Sequence, residues 1–290
     1  MKIKNILTSI LFIFSIHNTV AQEDLLDQLD VKSDKKEVAT ATFKALQICN
    51  IQSTKLPVKG ELYILISHRF GDLTEGLQNF FGLDDANTKI GGIYGATNWL
   101  SLGVSRHTFQ KTYELGVKYK LANQMIGGFP VTIVGYNTLD INSELDKVNY
   151  PQLQFGNRLA YSSQLLISRK ITESFSFELA PMYTHKNLYD NTTEYADLLL
   201  LGYGARYKVS KRLSVNLEYA TRMRAFDGFL ATKYKNPLSV GLDIETGGHV
   251  FQMVFSNSQA MNDVSVLSNS TGKWENSKGI YFGFNMYRVF

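Results

Sequence analysis

The sequence predicts an all-β protein: a transmembrane antiparallel up-and-down β-barrel of about 12 strands, after an N-terminal signal peptide and a short periplasmic tail. Three observations carry this. The chain opens on an export signal, continues as short two-faced segments separated by turn residues, and ends on one such segment, GIYFGFNMYRVF from Gly279 to Phe290. There Ile280, Phe282, Phe284 and Met286 alternate with Tyr281, Gly283, Asn285 and Tyr287, the period-2 pattern of a strand with unlike faces. In a soluble domain such a terminal strand would be an open edge that invites aggregation. Pairing it with the first strand closes a barrel and removes the edge.

The export signal comes first. Lys2 and Lys4 precede an apolar run from Ile6 to Ile16, and Thr19-Val20-Ala21 offers a small-residue cleavage site, so the mature chain is expected to begin near Gln22. No Cys lies at the cleavage point, which argues against a lipoprotein anchor. The run is shorter than the ~20 residues of a membrane-spanning helix, and after Ala21 the densest apolar stretch, Leu198 to Leu201, is interrupted by Gly202. A helical membrane protein is therefore excluded. Removing Lys2 and Lys4 takes Lys+Arg from 30 to 28 against 26 Asp+Glu, a net charge of about +2, which leaves no basic footprint for nucleic acid. The single Cys49 has no intrachain partner for a disulfide in an oxidising compartment.

Three regions follow: residues 1–21 as signal peptide, 22–59 as periplasmic tail and lead-in, and 60–290 as barrel. Gln22 to Thr40 is charged with mixed sign and reads as solvated tail; Ala41 to Lys59 is less polar and is expected to pack at or inside the periplasmic mouth. From Gly60 onward the segments have the ~9–11 residues of a tilted transmembrane strand. Their expected cores are Glu61–Phe70, Thr88–Ala96, Leu100–His107, Thr112–Leu121, Pro130–Thr138 and Asn157–Arg169. Ser174–Thr184, Ala196–Lys208, Arg212–Arg222, Pro237–Thr246, His249–Asn257 and Lys278–Arg288 complete the set. Tight links and long polar links alternate along the chain, as short periplasmic turns and longer outer loops do in this class of barrel. Ser258–Ser277 is the longest expected outer loop.

Register is predictable where the turn is. With Gly247-Gly248 as a two-residue primed turn, Ile244, Leu242 and Val240 oppose Phe251, Met253 and Phe255 on a lipid face, while Asp243 opposes Gln252 and Ser239 opposes Ser256 on the other. A three-residue link at Val209–Lys211 would pair Tyr207 with Leu213, Ala205 with Val215, Tyr203 with Leu217 and Leu201 with Tyr219. Pro181 falls inside the seventh segment, where it donates nothing to a ladder, and is expected to mark a bulge or an early end.

Several stretches resemble a known family. GLDIETGGHVFQMVFSNSQAMN from Gly241 to Asn262, Thr271-Gly272-Lys273-Trp274 and the closing FGFNMYRVF are similar to the bacterial β-barrel family catalogued as domain of unknown function 5777. So are ATFKA at Ala41, ISHRFG at Ile66 and KTYELGVKYKL at Lys111, although Cys49 stands where an aliphatic residue is expected. The resemblance implies an outer-membrane barrel and brings no activity or functional residues with it.

The residues themselves carry little chemistry. His68, His107, His185 and His249 lie on different faces and lack companions at metal-ligand spacing. Ser105-Arg106-His107 has the two-apart spacing of a membrane-embedded hydrolase, but it is expected to face the lumen with no carboxylate to orient the imidazole. Neither a catalytic residue, a metal nor a cofactor is expected. Glu178, Arg206, Lys208, Glu218, Asp243 and Glu245 are the candidate lumen-lining set, nearly balanced in sign. The leading expectation is a narrow outer-membrane channel or transport-related protein for small polar solutes. A non-conducting anchoring or display barrel is the alternative, with an embedded hydrolase third. Its partners would be the lipid bilayer, the outer-membrane barrel assembly machinery and small polar solutes, without nucleic acid.

Overall fold

The computed structural model describes residues 37–223, 233–276 and 278–290; the expected signal peptide and most of the charged tail lie outside the described residues. The strands are β1 (Leu62–Asp72), β2 (Ala86–Gly95), β3 (Leu100–His107), β4 (Thr112–Ala122), β5 (Thr132–Asn142), β6 (Leu159–Lys170), β7 (Phe175–Lys186), β8 (Asp197–Lys208), β9 (Leu213–Arg222), β10 (Leu238–Thr246), β11 (His249–Ser256) and β12 (Tyr281–Val289). Each pairs antiparallel with its sequence neighbour, and β12 pairs with β1 to close the barrel. At that seam Tyr63 opposes Val289, Ile66 opposes Met286 and His68 opposes Phe284. The predicted closure and strand number hold.

Alternation along each strand sorts the side chains. In β8 Leu198, Leu200, Gly202, Gly204 and Arg206 are buried inside, while Leu199 and Tyr207, each more than half exposed, face outward with Leu201 and Tyr203. With no free edge, lipid meets a mostly apolar outer face and a backbone paired in ladders around the closed barrel, the condition for crossing a bilayer.

The Gly247-Gly248 register is the predicted one at every position, from Ser239 opposite Ser256 to Glu245 opposite Val250. Both glycines have positive φ, +24° and +92°, as a primed turn requires. The β8–β9 register differs from expectation: Tyr207 opposes Val215, Ala205 opposes Leu217, Tyr203 opposes Tyr219 and Leu201 opposes Thr221, a slip of two. The physical cause is the turn. Val209 and Ser210 both donate to the carbonyl of Leu213, and Ser210 Oγ accepts from the amides of Arg212 and Leu213, so Val209 closes onto Leu213 and the turn lies one residue further along the chain than expected. A slip of two preserves every face.

Pro181 neither bulges nor ends β7. The register to β6 is the same on both sides of it, from Gln164 opposite Met182 to Ile167 opposite Leu179, with the intervening positions unpaired. The proline faces outward and keeps its pairing with Leu201 of β8.

The interior is filled from both ends. Residues 41–57, hereafter the strap, thread into the lumen well beyond the mouth, with Phe43, Leu46, Ile48, Cys49 and Ile51 all buried. From the opposite rim the connection between β11 and β12, expected to project as an outer loop, folds inward instead. It carries helix α1 (Asp263–Asn269), buried from Asp263 through Ser268. Val264, Val266 and Leu267 give that helix an apolar content an exposed loop would not need, and Leu267 joins a buried cluster with Ile51, Leu166 and Leu200.

Candidate functional site: the occupied lumen

The strap is bonded to the wall through its own backbone. Ala45 to Thr54 contains no charged residue and lies between Lys44 and Lys55, so it enters the lumen without desolvating a charge. Its peptide groups still need partners. Glu218 on β9 accepts the amides of Cys49, Asn50 and Ile51 at 2.9–3.0 Å, and Glu178 on β7 accepts the amide of Thr54 at 3.1 Å. The carbonyls are met by donors from the wall: Lys118 Nζ reaches Leu46 and Ser53 at 3.0 Å each, Gln252 reaches Ile48 at 3.0 Å, and Asn285 reaches Cys49 at 2.8 Å. Arg69, wholly buried, donates to Asn50 Oδ1 at 2.9 Å, and Tyr287 donates to Gln47 Oε1 at 2.7 Å. Burial pushes the Cys49 thiol well above its ordinary value, with the carboxylates of Glu218 and Asp243 adding to the effect, so the thiol stays neutral.

Two wall glycines make room for the strap. A Cβ at Gly204 would collide with Ile48 Cδ1, and one at Gly241 would stand 2.6 Å from Cys49 Sγ. These hollows fix the depth at which the strap seats.

The predicted lumen residues fall into two groups. Glu178, Arg206, Glu218 and Asp243 are buried inside the barrel, where they hold the strap or each other's neighbours rather than an open path: Asp243 accepts from Asn216 at 2.6 Å and Gln252 at 2.8 Å, and Arg206 donates to the carbonyls of Ala41 and Thr42. Lys208 and Glu245 sit half-buried at the rim, Glu245 paired with Lys44 of the strap at 2.6 Å. Sequence reasoning missed Arg69 and Asn285, and it gave the inward-facing Gln252 no partner in the lumen. The charge-free run from Ala45 to Thr54 was the available signal that a polar wall would receive it.

A second cluster surrounds the start of α1. Lys89 and Glu114 pair at 2.9 Å, Ser105 Oγ lies 3.0 Å from His107 Nε2 and 3.2 Å from Glu114 Oε1, and Glu114 Oε2 accepts the amide of Asp263. A carboxylate is thus present beside Ser105 and His107, contrary to expectation. It does not orient the imidazole, because serine and carboxylate both lie at Nε2 and Nδ1 is unpartnered. A hydrolytic triad needs the acid on Nδ1. Asp263 ties this cluster to the strap, accepting from Gln52 at 3.3 Å and from Gln164 at 2.7 Å. The remaining histidines are dispersed: His68 faces outward, stacked on Phe284 with centroids 5.7 Å apart, and His185 bonds Asp197 at 2.7 Å. Among the described residues no group of three or more potential ligands could hold a metal.

Known proteins with this architecture are membrane barrels. The NanC porin superposes with a TM-score of 0.51 at 10% identity, covering 78% of this chain and 98% of its own. The KdgM porin gives 0.47 at 11% identity, over 79% and 99%, and an outer-membrane channel of Pseudomonas putida F1 gives 0.44 at 13%, over 81% and 97%. No curated protein matches the sequence. At such identities the likeness to NanC speaks for the fold, that of an outer-membrane porin, and a bilayer is therefore this barrel's surroundings. The family is shown by the sequence itself: matched across residues 43–290, strap included, the chain belongs to the family described as a membrane bound beta barrel domain, domain of unknown function 5777.

Proposed function

We propose that this protein, exported by a cleaved signal peptide and inserted by the outer-membrane assembly machinery, is a channel for small polar solutes in its shut state, with the strap as its gate. The observation that carries this is the chemistry of the wall behind the strap. A permanently solid interior is served as well or better by apolar residues, since replacing buried charges with well-packed hydrophobes is often neutral or stabilising. This barrel instead surrounds the strap with Arg69, Lys118, Glu178, Glu218 and Asp243. Such a wall is wetted once the strap leaves, and twelve strands lie between the filled eight-stranded barrels and the open porins of sixteen or more.

The test is conductance of the purified full chain in planar bilayers. Gly204→Val drives a side chain into Ile48 and should raise the open fraction well above that of the wild type, with weak ion selectivity because both signs line the wall. Removal of residues 37–57 takes away the strap's part of the closure, leaving α1 in place, and should raise conductance further. Silence from both variants, each shown to be folded by heat-modifiable migration, would leave a non-conducting barrel.

A further inference from the structure

A polar pair interrupts the apolar outer face of the barrel at mid-strand. On β5 Asn137 lies between Gly135 and Leu139 in the outward row, and on β6 Ser163 lies between Tyr161 and Leu165. The two stand directly opposite each other in the ladder. Asn137 Nδ2 donates to Ser163 Oγ at 2.6 Å, and Asn137 Oδ1 accepts from the Tyr119 hydroxyl of β4 at 3.1 Å. Gly135 makes the second bond possible, because the Tyr119 ring lies over it where a Cβ would collide. These bonds use one of the two amide protons of Asn137 and none from the Ser163 hydroxyl, and among the described residues neither remaining proton meets an acceptor. Ser163 is exposed on this face. Hydrocarbon chains offer it nothing, so a surface that brings hydrogen-bonding groups to this depth gains more here than at a site in water.

Shape and symmetry narrow the occupant. Beside the pair, on the same face, is a hollow of about 510 Å³ lined by Leu165, Pro181, Tyr183 and Leu199, the last 60% exposed. A second copy of this chain, inserted in the same orientation, carries its own Asn137 and Ser163 at the same depth. A two-fold axis along the membrane normal therefore sets amide and hydroxyl against amide and hydroxyl. Each of these groups both donates and accepts, so the pair is self-complementary. Each copy also presents both a protruding leucine and a hollow, as a contact between identical faces requires.

We propose that this face, centred on Asn137 and Ser163, is where two copies of the barrel associate within the membrane. The interface goes beyond the channel reading and does not depend on it: association is measured without conduction, so either can fail alone.

The experiment is energy transfer between donor-labelled and acceptor-labelled copies of the folded full-length protein, reconstituted together in phosphatidylcholine vesicles and diluted stepwise with lipid. The wild type should show transfer above that of random proximity, falling with dilution along a dimer isotherm. Asn137→Leu combined with Ser163→Ala removes the polar pair and leaves an apolar outer face, which suits a barrel in lipid. It should raise the dissociation constant about tenfold or more. Ser163→Ala alone should act in the same direction and carries the test if the double variant fails to show heat-modifiable migration. Val240→Ala, outward on β10 and four strands away from β6, should leave association unchanged. The proposal is overturned if the wild type shows only random transfer, the result expected where lipid or a different protein covers the face. It is equally overturned if the folded variants associate as the wild type does, or if Val240→Ala separates the copies as effectively.

Discussion

Glu218 concentrates the energetics of the shut state in one side chain. Its two oxygens accept three consecutive strap amides, and a hydrogen bond to a charged group is worth ~1.5–3 kcal/mol. Glu218→Gln keeps the size but turns one acceptor into a donor facing other donors. The strap should then leave its seat more often, by about 2 kcal/mol or roughly 30-fold in local opening, read as faster thiol labelling of Cys49. Labelling at the wild-type rate would show that the contact does not hold the strap. Asp263 adds a pH dependence. Burial, with Glu114 beside it and Lys89 offsetting in part, raises its carboxyl from 3.8 to about 7. The seated form of α1 thus binds the proton more tightly than the unseated one. Its stabilisation is complete below about 3.8 and is lost as pH rises towards about 7. Melting temperature in detergent should fall across that window in the wild type, and the fall should shrink in Asp263→Asn. Parallel profiles would assign the pH dependence to other groups. None of this was legible beforehand: the sequence marks Glu218 as inward-facing by parity, but what an inward carboxylate meets depends on a segment about 170 residues away.

Among the elements, the strands were the readable part because alternation and turn chemistry are local. Gly247-Gly248 admits one tight turn, so one register sorted nearly every residue of β10 and β11 by polarity, and it is the register found. The turn after β8 could close at either of two neighbouring positions, and the Ser210 hydroxyl, bonding back to two amides, favours the later one. The depth of the strap and the inward fold of α1 were not legible for a different reason: short segments lacking strand alternation do not reveal which surface buries them. The lipid face gives the element-scale prediction. Leu242 opposes Val215 and Met253 on the outer side of mid-β10, and Leu242→Arg should cost ~2–4 kcal/mol in a bilayer or detergent unfolding assay. A cost near zero would contradict the assigned face. Ser239→Arg on the inner side should be costly as well, because Ser239 is fully buried and bonds both Asn50 and Ser256.

For the whole molecule, closure has two parts that touch. The strap enters from the rim of the chain ends, α1 descends from the other, and Gln52 meets Asp263 where they join. A change at either end therefore has a physical route to the other, through one hydrogen bond and the shared packing of Ile51 and Leu267. The central claim, that the strap is a removable gate, is tested most directly by tethering it. Gly241→Cys would set a Cβ 2.6 Å from the native Cys49 Sγ, close enough for a disulfide between strap and wall after small adjustment. Single-channel recording of this variant in planar bilayers should show silence under oxidising conditions and discrete openings, like those of the wild type, once a thiol reductant is added. Openings that persist in the verified disulfide form, or silence that persists after its reduction while the wild type conducts, would contradict it.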